Sequence, residues 1–363
     1  MTLTLERTGS VERTKLSAID CDIHNAAHSG TTLYKYLPEN WRHYAQVYGG
    51  RSFSGAAYPR ANLNAARTDS WPPSGLPPGS DLDFVRKQLL DEWNFEYGVL
   101  NPLNGAGALL HPEFAAAMSA ATNVWQIEEW LDPEPRLRAS IVVPWEAGDL
   151  AAAEIDRRAR DPRFVQALLI ARTQEPLGRR KYWKMYEAAE RNNLPIGIHF
   201  GGAGGGPITG AGWPSFYIED HAGMPTSFET QVTSLVCEGV FELFPNLKIV
   251  LIEGGFAWLP SLMWRLDSAY KKLHDEVPLL KRLPSEYIRE HFWLTTQPME
   301  EPSKPKFFHQ LLEQLDMNDR LMFATDYPHW DFDAPNTAMP TPVERDLEAA
   351  IMAGNAKKLY GLT

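Results

Sequence analysis

Residues 18–24 read AIDCDIH, an apolar run that ends in an acidic side chain and an imidazole. Side chains two positions apart point to the same face of a strand, so this run predicts a buried strand that presents Asp22 and His24 together. The spacing alone fits a structural ion pair about as well as half of a metal site. The rest of the sequence therefore has to show which fold this strand belongs to and whether Asp22 and His24 form an ion pair or part of a metal site.

Seven further apolar runs come after this strand, and segments with helical spacing separate them. Together the predicted strands cover residues 18–23, 97–100, 138–143, 164–170, 195–200, 248–252, 292–295 and 321–325. Strands that alternate with helices are typical of a parallel sheet covered by helices. Eight such units favour an α/β fold of the closed (β/α)₈ TIM-barrel type. The alternative, a doubly wound sheet, usually has a glycine-rich phosphate turn after its first strand, and this chain has none there.

Two long insertions interrupt this pattern, after strands one and five, at residues 48–79 and 201–225. The first is crowded with Gly, Pro and Ser, and the second contains GGAGGGP followed by GWPSFY. Both begin beyond the C-terminal end of a predicted strand, where barrel enzymes carry their active sites. We expect substrate-covering loops, with irregular surface loops as the alternative.

The chain has 363 residues, of which 44% are hydrophobic, and these numbers predict one barrel domain at residues 18–363 after an N-terminal extension at residues 1–17. The net charge of −11, spread along the chain, argues against a nucleic-acid partner. Neither a signal peptide nor a membrane-spanning run is recognised, so we expect a cytoplasmic protein. Two cysteines, Cys21 and Cys237, fit a reducing compartment.

Two more candidate ligands lie at strand ends. His199 ends the fifth predicted strand, where a lone histidine is more often a satisfied core residue, and Asp326 ends the eighth. A carboxylate is costly to bury there without a compensating cation or proton. Because three strands then offer ligands at one mouth of the barrel, the combination with Asp22 and His24 predicts a site for Zn²⁺, Mn²⁺ or Fe²⁺.

Five stretches in this order resemble the amidohydrolase-related family, which includes aminocarboxymuconate-semialdehyde decarboxylase and γ-resorcylate decarboxylase. They are IDCDIH (19–24), IGIHFGG (196–202), IEGGFAWLPSLMWRLD (252–267), FATDYPHWD (323–331) and IMAGNAKKLYGL (351–362). The resemblance extends over nearly the whole chain. It implies one divalent metal ion per chain, Zn²⁺ or Mn²⁺, held by Asp22, His24, His199 and Asp326. It also implies that Asp326 shuttles a proton in the chemical step.

The sequence departs from the family at strand six, where Glu253 stands in place of a histidine that many members carry. Glu253 either takes over a catalytic role, hydrogen-bonding His199 or the substrate, or forms a buried salt bridge with an arginine. By resemblance Arg265 binds the substrate carboxylate, although it equally fits a helix-stabilising pair with Asp267 or Glu253. The segment FVQALLIART (164–173) has no lysine to bridge a second metal, which favours one ion.

Three functions remain open. The first is non-oxidative decarboxylation of an aromatic or unsaturated carboxylic acid; the second is hydrolysis of an amide, lactone or ester by a metal-activated water. The third is a barrel that has lost its metal and only binds a ligand. The resemblance also implies a homodimer. Aromatic residues near the predicted mouth suggest a flat substrate, unless they pack the inserted loops: Trp213, Phe216, Tyr217, Phe256, Trp258 and Trp330.

Overall fold

The structure is a computed structural model, and it describes residues 17–52, 65–202 and 209–363. The expected N-terminal extension, apart from Ser17, lies outside the described residues. Residues 53–64 and 203–208, which belong to the two predicted insertions, also lie outside them.

Eight parallel strands pair with one another in chain order. They are β1 (Ala18–Ile23), β2 (Phe95–Leu100), β3 (Leu137–Val142), β4 (Phe164–Ile170), β5 (Ile196–His199), β6 (Ile249–Ile252), β7 (Phe292–Thr295) and β8 (Leu321–Met322). The first and last strands meet through backbone hydrogen bonds from Cys21 N to Phe323 O (3.0 Å) and from His24 N to Tyr327 O (2.8 Å). The predicted TIM barrel is therefore confirmed.

Helices connect the strands. They are α1 (Glu39–Val47), α2 (Leu82–Val85), α3 (Pro112–Gln126), α4 (Gly148–Arg158), α5 (Trp183–Arg191), α6 (Tyr217–Ala222), α7 (Met224–Cys237), α8 (Val240–Leu243), α9 (Leu259–Leu273), α10 (Pro284–His291), α11 (Pro305–Leu315), α12 (Arg345–Ala349) and α13 (Asn355–Tyr360). Three of them continue as π-helical turns, at Arg86–Asp91, Ile127–Leu131 and Ala350–Gly354. None of the helices in the described ranges is both long and apolar enough to cross a membrane.

Two apolar clusters hold the barrel together, and strand β6 contributes to both. Ile249 and Leu251 belong to the large cluster formed with the helices, whereas Val250 and Ile252 belong to a second cluster with residues of β1 and β8. This alternation is the expected two-sided burial of a barrel strand. Leu359 of α13 joins the second cluster, so the C-terminal helix is part of the same packing unit.

Strand β8 is shorter than predicted because the backbone N–H groups of Phe323 and Thr325 bond to Ile351 O and to the Asp20 carboxylate instead of to a neighbouring strand. The buried carboxylate of Asp20 accepts hydrogen bonds from Thr325 N (2.9 Å), from the Thr325 hydroxyl and from Asp22 N (3.1 Å). Burial raises the pKa of Asp20 to about 7. The regular ladder therefore ends at Met322. The chain nevertheless continues along β1 to Asp326.

Both insertions reach the segment that comes after β8. From the first insertion, Ala66 forms an antiparallel bridge with His329, and Ala65 O accepts a hydrogen bond from Trp330 N (2.9 Å). In the second insertion, the hydroxyl of Tyr217 accepts a hydrogen bond from the Trp330 indole (3.1 Å). The described parts of both insertions therefore lie at the mouth of the barrel, as expected.

Candidate metal centre

All four predicted ligands converge at the C-terminal mouth of the barrel. Asp22 and His24 lie at the end of β1, His199 is the last residue of β5, and Asp326 follows β8; all are buried. One ligand atom from each lies within 4.8 Å of the other three. His24 Nε2 is 2.7 Å from Asp326 Oδ1 and 3.5 Å from Asp22 Oδ1. His199 Nε2 is 3.3 Å from Asp22 Oδ2.

Two of these atoms are buried without a hydrogen-bond partner in the described structure: Asp22 Oδ2 and His199 Nε2. Unpaired buried polar atoms are rare and costly, and here two of them face each other. A hydrogen bond from Nδ1 of His199 to Phe200 O (2.5 Å) leaves the Nε2 atom of His199 free to bind a cation, and one from Nδ1 of His24 to Asn101 O (2.8 Å) directs the Nε2 atom of His24 at Asp326. The residues present therefore fit a divalent metal ion with mixed carboxylate and imidazole ligands.

Charges within the cluster support the same conclusion. Burial opposes ionisation of Asp22, but the charges of His24 and His199 outweigh it and lower its pKa. Burial likewise opposes ionisation of Asp326, whose pKa is lowered by the charge of His329 and by a hydrogen bond from His24. Burial lowers the pKa of His24, but Asp22 and Asp326 raise it to about 9. Without a metal, His24 is therefore protonated at neutral pH, and its positive charge lies beside the carboxylates of Asp22 and Asp326.

Glu253 directly follows β6 and contacts the ligand group without belonging to it. Its Oε2 atom lies 3.2 Å from His199 Nε2. Burial raises its pKa well above the usual range, and the charges of Asp326 and Asp22 raise it further. Glu253 and Asp326 both have a left-handed backbone, with φ of 60° and 61°. Such strain in residues other than glycine is typical of functional sites.

A chain of polar side chains connects Asp326 to helix α6. Gln297 Nε2 donates to Asp326 Oδ2 (3.3 Å) and to Asp331 Oδ2 (3.1 Å). Asp331 also pairs with His221 of α6 at 2.9 Å, and this hydrogen bond raises the pKa of His221. On the other side, His329 Nδ1 lies 2.7 Å from Asp326 Oδ1. The second insertion is therefore connected by hydrogen bonds to the candidate ligand Asp326.

The other candidates lie in different surroundings. Arg265 is exposed on α9, outside the ligand cluster, and has neither a hydrogen bond nor an ion pair with any residue that the structure describes. Its predicted partner Asp267 instead binds Ser285. Among the aromatic candidates, Tyr217 and Trp330 form a ring cluster with His221, with 5.1 Å between the His221 and Trp330 centroids. By contrast, Phe256 is buried in the large core cluster, while Trp213 and Phe216 are exposed.

Three further residues at the mouth were not identified from the sequence: Asn101, Arg172 and Gln297. Each lies one or two positions beyond the C-terminal end of a strand, after β2, β4 and β7 respectively. The rule that identified His199, a polar residue at the end of a buried apolar strand, also applies to them. The local sequence therefore carries a signal for all three.

Comparison with known proteins agrees with this geometry. The family model described as Amidohydrolase matches residues 19–362. The chain belongs to the amidohydrolase family. It is therefore an enzyme of the amidohydrolase superfamily.

Curated relatives of this amidohydrolase include γ-resorcylate decarboxylase from Polaromonas sp. (strain JS666), 28% identical over 304 residues that cover 78% of this chain and 88% of the relative. Among solved structures, an amidohydrolase from Mycobacterium avium subsp. paratuberculosis K-10 has a TM-score of 0.72 at 20% identity, covering 96% of this chain and 100% of that one. A dihydroxybenzoic acid decarboxylase from Polaromonas sp. JS666, solved with manganese and the inhibitor 2-nitroresorcinol, has a TM-score of 0.67 at 21% identity, covering 96% and 97%.

Proposed function

We propose that this amidohydrolase is a divalent-metal-dependent, non-oxidative decarboxylase of an aromatic or unsaturated carboxylic acid. The observation that carries the metal site is the pair of orphaned atoms, Asp22 Oδ2 and His199 Nε2, within a buried four-residue ligand group. The reaction is supported by relatives and structural neighbours named as decarboxylases of aromatic acids.

In this proposal Asp22, His24, His199 and Asp326 hold one ion. Manganese is the ion we expect, because a structural neighbour contains it, and Zn²⁺ is the alternative. When bound, the ion would supply a positive charge that stabilises negative charge on the substrate oxygens.

Asp326 is the proton-transfer residue. The charge of His329 and the hydrogen bond from His24 keep Asp326 ionised, and an ionised carboxylate can accept a proton. In this proposal it takes the proton from a phenol hydroxyl of the substrate and returns it to the carbon that bears the carboxylate. The bond from that carbon to the carboxylate then breaks, CO₂ leaves, and the bonding electron pair restores the ring as a phenolate, which takes up a proton from solvent. Glu253, protonated because burial raises its pKa, donates a hydrogen bond to a substrate oxygen.

Substrate binding uses the described parts of both insertions. The rings of Tyr217, His221 and Trp330 form an aromatic wall at the mouth, which suits a flat substrate. Arg265 binds the substrate carboxylate in this proposal. Within one chain, the Arg265 side chain is exposed on α9 and lies outside the ligand cluster. That role therefore requires either a homodimer, in which Arg265 reaches the site of a second copy of the chain, or a movement of the chain that brings Arg265 to the substrate.

The test is elemental analysis of the purified protein, with His199→Ala and Asp326→Asn as the variants. His274→Ala, at an exposed surface histidine, is the matched control. We expect about one transition metal per chain in the native protein and the control, and loss of the metal or of all turnover in both variants. A panel of hydroxybenzoates, amides and lactones then identifies the reaction. Release of CO₂ from a hydroxybenzoate supports the proposal, whereas turnover of amides or lactones alone replaces it with hydrolysis.

A further inference from the structure

Asn101 contacts two of the four proposed ligands at once. It is fully buried and directly follows β2. Its backbone carbonyl accepts the hydrogen bond from Nδ1 of His24 (2.8 Å), and its side-chain amide donates to Asp22 Oδ1 (2.8 Å) and to Cys21 O (3.2 Å). Asn101 therefore sets both the tautomer of the His24 imidazole and the rotation of the Asp22 carboxylate.

The amide contact determines which oxygen of Asp22 faces the site. Because Asn101 occupies Oδ1, the carboxylate is held with Oδ2 directed at His199 Nε2, 3.3 Å away. Without that contact the buried carboxylate loses its side-chain donor and is free to rotate about its terminal bond. Groups that orient metal ligands in this way contribute about 10–100-fold to metal affinity.

A chain of donors determines which way the Asn101 amide itself points. Its Oδ1 atom accepts hydrogen bonds from the Ser140 hydroxyl (2.5 Å) and from Gln166 Nε2 (3.3 Å), and Gln166 also donates to Ser140 Oγ (2.9 Å). A flipped amide would place Oδ1 against the Asp22 carboxylate and its NH₂ group against that of Gln166. The observed orientation satisfies every donor and acceptor of this amide.

This series of hydrogen bonds begins at the C-terminal helix α13. The hydroxyl of Tyr360, the last residue of α13, donates to Gln166 Oε1 (2.9 Å) and thereby orients the second amide. Space for Gln166 comes from Gly197 on the neighbouring strand, where an added Cβ would lie only 3.0 Å from the Gln166 amide carbon. Each link donates in the same direction, from α13 towards Asp22, and such chains strengthen one another in a low-dielectric interior.

We propose that Asn101 is a positioning residue for the metal ligands Asp22 and His24, and that the Ser140, Gln166 and Tyr360 side chains lock its amide towards Asp22. The inference rests on the metal site of the proposed function. It goes further because it makes metal affinity depend on the packing of the C-terminal helix α13, through the hydrogen bond from Tyr360 to Gln166.

The first test compares Asn101→Leu with Asn123→Leu by calorimetric titration of the metal-stripped full chain with Mn²⁺. Asn123 is the matched control because it is equally buried and its amide also makes several hydrogen bonds, to Val142 and Glu154, but to no ligand. We expect Asn101→Leu to weaken Mn²⁺ binding about 10–100-fold. Asn123→Leu should lower the melting temperature yet leave the affinity within about threefold. With Co²⁺, only the Asn101 variant should shift the visible absorption bands.

Equal Mn²⁺ affinity for Asn101→Leu and the native chain would overturn the inference while leaving the metal site intact. If the native chain itself binds no metal, the proposed function fails first. Should Asn101→Leu not fold, Ser140→Ala, which removes a donor to the same amide, takes its place with the same criterion.

The second test is a double-mutant cycle between Tyr360→Phe and Asn101→Leu. Tyr360→Phe alone should weaken Mn²⁺ binding severalfold, and it should have no further effect in the Asn101→Leu background, because its action passes through that amide. The same weakening in both backgrounds, or none in the native background, would overturn the part of the inference that includes Tyr360.

Discussion

The Nε2 atom of His199 lies 3.2 Å from the Oε2 atom of Glu253, about as close as it lies to the other candidate ligand Asp22. The residue that replaces the strand-six histidine of many family members therefore contacts the candidate metal centre. It brings a carboxyl group whose pKa is raised by burial and by the neighbouring acids Asp326 and Asp22. A protonated acid at this position donates a hydrogen bond, whereas an ionised one would be a fifth ligand.

Replacing Glu253 separates these two roles. We expect Glu253→Leu, which removes the donor, to lower kcat about 100-fold or more, because loss of one hydrogen bond to a substrate oxygen that gains negative charge costs about 10²–10³-fold. Mn²⁺ affinity should change less than about threefold. Glu229→Leu is the control, since Glu229 is a partly buried acid on α7 whose pKa is raised by burial alone. Loss of the metal from Glu253→Leu would show instead that Glu253 is a ligand.

Metal binding should become tighter as pH rises. In the metal-free chain the pKa of His24 is about 9, above its usual 6.5, so a metal must displace a proton at neutral pH. The apparent Mn²⁺ affinity should increase about tenfold per pH unit between about pH 6.5 and 8.5. Protonated His24 stabilises the fold of the metal-free chain, and this contribution to the free energy of unfolding is fully present below pH 6.5 and is lost as pH rises through about 9. Titrations at three pH values test this, and a pH-independent affinity would contradict it.

Arg265→Ala tests the substrate-binding role. We expect KM for the carboxylic acid to rise about tenfold or more, as is typical when a charge-assisted hydrogen bond is lost, with metal content unchanged. Because the side chain is exposed on α9, the melting temperature should also be unchanged. Lys272→Ala, an exposed cation on the same helix, is the control and should leave KM unchanged. An unchanged KM in Arg265→Ala would exclude this residue from substrate binding.

The attachment of α6 to the barrel can be measured through the ion pair between Arg172 and Asp220, whose side chains are only 11% and 13% exposed. Asp220→Asn should lower the free energy of unfolding by about 2 kcal/mol, because it removes a charged partner from a largely buried guanidinium. Asp156→Asn disrupts a pair with Arg191 that is 42% and 49% exposed, and it should cost less than about 1 kcal/mol. Urea denaturation of both variants provides the comparison, and equal losses would contradict the expectation.

Local patterns predicted the barrel well, and the four candidate ligands lie together at its mouth. The predicted strands start and end within two residues of the observed ones, except that β8 ends three residues early. Strand β8 differs because Ile351 O and the side chain of Asp20, both distant in sequence, accept the backbone hydrogen bonds of Phe323 and Thr325. No local pattern reports such a side-chain substitution for a backbone hydrogen bond.

The sequence by itself determined the order of the eight strands and the mouth to which the four candidate ligands point, because the period of apolar residues sets both secondary structure and the buried face. Only the tertiary structure decided which atoms meet. His24 and Asp326 are 302 residues apart in the chain, yet barrel closure brings them to 2.7 Å. The same closure leaves Asp22 Oδ2 and His199 Nε2 unpaired and directs Asn101 at Asp22. Such distances depend on register and closure across the whole barrel, which no single segment encodes.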